Sequence, residues 1–149
     1  MFHRFVVPIV MALLFASPLT AATIDYGSRI DEGTCEGLVG VNGPLPVAQL
    51  RVMATTCQNA AHSHNARAAA LTGAAKQEQQ LSAARYLFFS AYGQGGAGDR
   101  AGGFASLDRS LALFKTVSAH AATPDLQSRA QAGVSQVTRT IAALHHLKQ

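Results

Sequence analysis

The sequence predicts an all-α fold of about four antiparallel amphipathic helices, arranged as a small bundle or as a short array of helical hairpins. Hydrophobic residues make up 48% of the 149-residue chain, yet aromatic residues account for only 7% and tryptophan is absent. Much of the hydrophobic fraction is alanine, which favours closely packed helices. Apolar residues also recur at three- and four-residue spacing, the period of a helix with one buried face. The length suits a single domain.

Residues 1–22 have the pattern of a cleaved secretory signal peptide. Arg4 supplies a positive charge, residues 5–19 are almost entirely apolar, and residues 20–22 are small enough for a cleavage site. The apolar run is shorter than the roughly 20 residues that a membrane-spanning helix needs. We therefore expect a periplasmic or secreted protein that begins near Thr23 and keeps no stable membrane anchor.

Residues 23–43 form an acidic, glycine-containing segment ahead of a single helical domain at 44–149. Cys35 in this segment and Cys57 in the first long helix are the two cysteines of the chain, an even number that suits an oxidising compartment. The pair lacks the four-ligand spacing of a zinc site, and no C-x-x-C motif is present. We predict a disulfide that closes a loop of about 20 residues and ties the segment to the first helix.

Proline, glycine and threonine divide the domain into four predicted helices. Thr123 and Pro124 are typical of a helix start, and the last helix ends in histidines and a lysine that suit a helix C-terminus. The four helices run from Pro46 toward Gly73, from Ala74 to Tyr92, from Phe104 to just before Thr123, and from Pro124 to the C-terminal histidines.

Residues 93–103 contain six glycines and are predicted to form a flexible loop. Each glycine disfavours a helix by about 1 kcal/mol relative to alanine, so a helical conformation would be costly here. The glycines do not have the spacing or context of a phosphate-binding loop. A mobile connector is the main interpretation, and a loop that becomes ordered on contact with a partner is the alternative.

One stretch of the domain resembles a known helical repeat. The residues that carry the resemblance are Ala84, Phe88, Phe89, Tyr92 and Gly95, followed by Asp108, Ala112, Phe114 and Ala119. Between Ala84 and Ala119 the chain looks like one helical hairpin of the Sel1 or tetratricopeptide type. Such repeats hold other proteins and do not carry out chemistry, so the resemblance implies a scaffold.

Side chains that could support chemistry are few and scattered. The acidic residues after Glu36 are isolated, and no pair suggests acid–base catalysis, so we predict neither an enzyme nor a cofactor. Basic residues occur singly and are not interleaved with aromatic residues, which argues against nucleic acid as a partner. Metal binding has weak candidates in His120, His145 and His146, which would have to meet at one end of the last two helices.

These patterns favour a protein that acts by protein–protein interaction, as an adaptor, inhibitor or immunity-type protein of the cell envelope. Its partner would be another envelope or secreted protein. The candidate contact residues are aromatic and basic side chains on the second helix and after it, namely Arg85, Tyr86, Phe89, Tyr92 and Arg100. Phe89 either faces the partner or is covered by the N-terminal segment, because residues 87–89 span most of the helix circumference.

The alternative function is a periplasmic carrier of a small ligand or a metal. A carrier would need an apolar cavity in the helical domain or a cluster of histidines. The many alanines of the predicted helices argue for tight packing and against such a cavity.

Overall fold

In the computed structural model, residues 18–146 form five α-helices joined by short connections, and no strand occurs in this range. The all-α class is therefore confirmed. The helices are α1 (Pro18–Val39), α2 (Val47–Ala69), α3 (Gly73–Gly96), α4 (Arg100–His120) and α5 (Pro124–His146). Side chains are described from Ser28 to His146, and most of the predicted signal peptide lies outside the described residues. None of the described helices is long and apolar enough to cross a membrane.

The helix beyond the predicted four is α1, which occupies most of the acidic, glycine-containing segment at residues 23–43. Its buried or half-buried residues Ser28, Glu32, Cys35 and Leu38 recur at three- and four-residue spacing, so the helix has one inward face. Gly33 and Gly37 lie on the exposed side, where their cost in helix propensity is offset by contacts of the opposite face.

The predicted disulfide between Cys35 and Cys57 is present and joins α1 to α2. The two Cα atoms are 5.1 Å apart, and both side chains are completely buried. Disulfides of this kind are typical of proteins that fold in an oxidising compartment. The bond fixes α1 near its C-terminal end against the middle of α2.

The glycine-rich stretch forms a much shorter connection than the loop predicted for residues 93–103. Helix α3 continues to Gly96 and α4 begins at Arg100, so that only three residues lie between them. Two of the glycines explain the difference, because they lie where helices approach closely. A Cβ on Gly93 would be 2.7 Å from backbone atoms of α2, and one on Gly103 would be 3.2 Å from the carbonyl oxygen of Ala91. Tertiary packing here outweighs helix propensity.

Helix α3 is the central element of the fold. It packs most extensively on α2 and α4, its neighbours in sequence, and makes smaller contacts with α1 and α5. Within the described range, α1 and α5 do not contact each other. Two hydrophobic cores result, one between α1, α2 and α3 and the other between α3, α4 and α5. Residues of α3 belong to both, so this helix couples the two halves of the domain.

Small residues allow α2 and α4 to lie close to α3. The hydroxyl of Ser90 donates a hydrogen bond of 2.9 Å to the carbonyl oxygen of Ala54 in α2. The hydroxyl of Ser110 in α4 donates one of 2.7 Å to the carbonyl oxygen of Ala84. Both serines are completely buried, so these bonds satisfy polar atoms that would otherwise destabilise the interfaces.

Replacing both cysteines by alanine is expected to lower the free energy of unfolding by about 3 kcal/mol, because the unfolded chain regains the entropy of a loop of this length. Urea unfolding of the oxidised protein and of the variant measures the difference. Hydrogen exchange should show that amides of α1 lose protection before those of α3. Equal protection of α1 in both proteins would contradict the role given to the bond.

Gly93→Ala is expected to destabilise the domain by about 1–3 kcal/mol, because the added methyl group overpacks the interface between α2 and α3. Gly95→Ala is the matched control in the same helix, since a Cβ there meets no atom within 4 Å. The control should be neutral or slightly stabilising through helix propensity. Thermal unfolding distinguishes the two variants, and equal melting temperatures would refute the close approach.

Candidate functional site

One face of α3 lies between α1 and α5 and forms the floor of a groove. The floor residues recur at alternating four- and three-residue spacing, which places them in one stripe along the helix. They are Glu78, Ser82, Arg85, Phe89 and Tyr92. We call this surface the α3 groove. Its lower half, toward the N-terminal end of α3, is polar, and its upper half is apolar.

In the polar half, ion pairs connect the floor to both walls. Arg85 lies 3.3 Å from Oε1 of Glu36 in α1. Arg129 of α5 contacts Glu78 at 2.8 Å and Asp125 at 3.2 Å. The hydrogen bonds from Arg129 to Glu78 and then to Asp125 raise the pKa of its guanidinium. These exposed pairs set the polarity of this half and add little stability.

On the α1 side, the apolar half contains a cavity of about 230 Å³. Its lining includes Leu38 and Val39 from α1, Val41 from the following connection, and Phe89 and Tyr92 from α3. We call this feature the α1-side cavity. Val41 is 48% exposed and Tyr92 is 64% exposed. Exposed apolar groups clustered around a concavity are typical of interaction sites.

On the α5 side of Tyr92 lies a larger apolar cleft of about 360 Å³. Its walls come from four helices and from the connection before α2. They include Leu45, Leu50, Phe88, Leu107, Thr140 and Leu144. We call this feature the α5-side cleft. Its volume lies within the range of about 300–1,000 Å³ that is usual for small-molecule sites.

Of the five predicted contact residues, Arg85, Phe89 and Tyr92 lie on the floor of the groove, whereas Tyr86 and Arg100 do not. Tyr92 is the most exposed of the aromatic residues named. Phe89 is half-buried, lines the α1-side cavity together with residues of α1, and has the guanidinium of Arg85 5.3 Å from its ring centre. Arg100 is exposed and borders a small cavity at the start of α4 that adjoins the α5-side cleft. Phe89 is thus partly covered by α1 and still borders the groove.

Tyr86 was wrongly predicted to be exposed, since only 5% of the residue is accessible. Its hydroxyl donates a hydrogen bond of 2.9 Å to Oε1 of Glu36, and its ring stacks on His64 at 5.3 Å. Burial, together with the hydrogen bond to Glu36, raises the pKa of the phenol well above its usual value. Tyr86 therefore holds α1 on α3 and is not available to a partner.

A polar cluster beneath α1 surrounds His64. Nδ1 of this histidine lies 2.7 Å from Oε1 of Gln79, and Nε2 lies 3.3 Å from Oε1 of Glu32. Arg67 contacts both Glu32 and the hydroxyl of Ser28. His64 is buried. With both ring nitrogens engaged, it acts as a bridge between three helices, and the arrangement offers no free base or metal ligand.

The three candidate metal ligands are not brought together. His120 ends α4, whereas His145 and His146 end α5. Because α4 and α5 are antiparallel neighbours, these ends lie about 30 Å apart along the 23-residue helix. His145 instead packs against Phe104, with ring centres 5.2 Å apart. No group of three or more metal-binding side chains occurs among residues 28–146.

The sequence analysis missed the walls of the groove. Thr140 and Leu144 are far from Tyr92 in sequence, and the packing of α5 beside α3 brings them near it, whereas Leu45 comes from the connection before α2. The apolar stripe of α5 contains Leu144, but periodicity alone does not show which part of a stripe remains exposed after packing. The sequence likewise indicated no role for Glu36, whose carboxylate accepts hydrogen bonds from Arg85 and Tyr86 of α3.

Comparisons with known proteins give no match to this chain. No protein-family model, no curated protein and no solved structure is significantly similar to it.

Replacement of Tyr86 by phenylalanine should make the free energy of unfolding less dependent on pH in the alkaline range. Because the phenol pKa is raised on folding, this group contributes stability below its unfolded pKa of about 10, and the contribution is lost as pH rises above that value. The wild type should therefore lose stability more steeply than Tyr86→Phe between pH 9 and pH 11.

Urea unfolding at several pH values tests this expectation. At neutral pH the variant should be less stable by about 1 kcal/mol, the usual net worth of one hydrogen bond. Tyr92→Phe is the control, since its ring is exposed and no protein group is hydrogen-bonded to its hydroxyl in the described part of the chain. If the free energy of unfolding falls equally with pH in wild type and in Tyr86→Phe above pH 9, the pKa of Tyr86 is not raised on folding.

Proposed function

We propose that this is an exported adaptor or inhibitor-type protein that binds an amphipathic helix of another exported protein in the α3 groove. The exposed ring of Tyr92 beside exposed Val39 and Val41 carries the proposal. Apolar side chains so arranged around a concave surface are costly to leave in water and favour a binding role.

A helix is the occupant that the groove geometry favours. The floor is one helix, α3, and the walls are two helices that contact it and do not contact each other in the described part of the chain. An α-helix with its side chains is about 10–12 Å across. A helix also satisfies its own backbone hydrogen bonds, which suits a groove whose walls are helical and offer no free backbone partners.

The two halves of the groove define the chemistry of that helix. Apolar side chains at spacings of three and four residues would contact Phe89, Tyr92 and Val41. Polar or charged side chains one or two turns further along would meet the Arg85–Glu36 pair. Large aromatic groups with one polar atom, such as Tyr92, frequently dominate the energy of protein interfaces.

A small-ligand carrier is the second candidate function, and the α5-side cleft is the observation that favours it. Metal transport is not part of this candidate. His120 at the C-terminal end of α4 lies far from His145 and His146 at the C-terminal end of the antiparallel α5. The cleft and the α1-side cavity share Leu45, Phe88 and Tyr92 in their linings, so the two functions can be separated by variants at residues that line only one of them.

Tyr92→Ser and Val41→Ser are expected to abolish recovery of the partner while leaving the fold intact. Loss of a central aromatic contact costs about 2 kcal/mol or more of binding energy, whereas substitutions at exposed positions change stability by roughly 0.5 kcal/mol or less. The tagged mature protein would be purified from the periplasm of its natural host after mild crosslinking, and co-purifying proteins would be identified by mass spectrometry.

Val52→Ser is the matched control. Val52 is 47% exposed, almost the same as Val41, but it lies on α2 and lines neither the α1-side cavity nor the α5-side cleft. A stoichiometric protein that is recovered with wild type and Val52→Ser, and lost with both groove variants, supports the proposal. Recovery that is equal for all four proteins, or no crosslinked protein at all, counts against it.

A further inference from the structure

The α5-side cleft extends toward a positive charge at the start of α4. A smaller cavity of about 160 Å³ adjoins it and is bordered by Arg100 and Phe104. The two cavities have lining residues in common from three helices: Ala91, Gly95, Leu107 and Leu144. An elongated molecule could therefore lie in the cleft and reach the guanidinium at one end.

The cleft suits a hydrocarbon chain better than a peptide. Thr140 and Tyr92 supply the polar side-chain atoms of its lining, and the other side chains there are apolar. The walls are helices whose backbone groups are hydrogen-bonded within each helix. An extended peptide would leave its own amide groups without partners here, at a cost of about 1–3 kcal/mol each, whereas an alkyl chain has none to satisfy.

Arg100 is available to a ligand. It is exposed, and within the described part of the chain its side chain has neither a hydrogen bond nor an ion pair. Arg67, Arg85 and Arg129, by contrast, each contact a carboxylate. The guanidinium group binds a carboxylate through two parallel hydrogen bonds, which fixes both the position and the orientation of the anion.

We infer that the α5-side cleft binds a single-chain fatty acid, with the alkyl chain between Leu50 and Leu144 and the carboxylate on Arg100. Two separate features favour this ligand: the apolar walls suit a chain without polar groups, and the unpaired guanidinium at the end of the cleft suits an anionic head. The inference goes beyond the proposed docking of a partner helix, since that proposal rests on Val39, Val41 and the α1-side cavity, although Leu45, Phe88 and Tyr92 line both features.

The test uses monomeric dodecanoate and, as a neutral probe of the same chain length, dodecanol. Isothermal titration calorimetry would measure affinity, and NMR chemical shifts of ¹⁵N-labelled protein would locate the site. Arg100→Gln is expected to weaken dodecanoate binding by roughly tenfold, the worth of one charge-assisted contact. Dodecanol should bind wild type and Arg100→Gln equally.

Two further variants complete the design. Gly95→Leu introduces a side chain where both cavities meet and where a Cβ encounters no atom within 4 Å, so it should fold normally and reduce binding of both probes. Arg109→Gln removes another exposed arginine of α4, one that borders neither cavity, and should change nothing. Melting temperatures of all variants verify folding.

The inference is overturned if wild type does not bind dodecanoate, if Arg100→Gln binds it as tightly as wild type, or if the shifted resonances lie away from α3 and α5. Equal loss of dodecanoate and dodecanol binding in Arg100→Gln would also overturn the role of the charge. The effect of Val41→Ser on partner recovery is measured independently, so either proposal can fail without the other.

Discussion

The close approach of α3 to both α2 and α4 is the constraint on which the rest of the structure depends. Gly93 allows the backbones of α2 and α3 to meet, and the buried hydroxyls of Ser90 and Ser110 bond to carbonyl oxygens across the two interfaces. Small residues occupy these sides of α3 because larger ones would hold the helices apart. The large side chains Phe88, Phe89 and Tyr92 are thereby directed toward the remaining side, where α1 and α5 only partly cover them.

Helix α1 depends on tertiary bonds much more than the other helices do. Its side chains contribute one disulfide and the polar contacts of Glu32 and Glu36, and few large apolar groups. Only a helix fixed in this way can serve as a wall, since the α1-side cavity requires Leu38 and Val39 to stay beside Phe89. An oxidising compartment, in which the bond can form, is therefore a condition for the proposed binding surface as well as for stability.

The sequence predicted those parts of the fold that local pattern determines. The apolar stripes of α2 to α5, the start of α5 at Pro124 and the disulfide all follow from periodicity, capping and cysteine count. What failed were features decided by distant contacts. Glycine lowers helix propensity in isolation, yet at Gly93 and Gly103 it permits helix packing. Tyr86 looked exposed because nothing local reveals its bond to Glu36, 50 residues earlier. Tyr92 was placed correctly on an accessible surface, but its neighbours across the groove were not found.

The abundance of alanine does not argue against a cavity in this fold, although the sequence suggested that it would. Alanine and serine are concentrated where α3 meets α2 and α4, and close packing on those sides is compatible with open space on the third. A closed bundle would cover that third side with another helix, whereas here α1 and α5 stand apart. The same short side chains that tighten two interfaces therefore leave the aromatic residues of α3 without a full cover. The cleft and the cavity beside Tyr92 are a consequence of how α3 is packed, and they require no destabilising defect in either core.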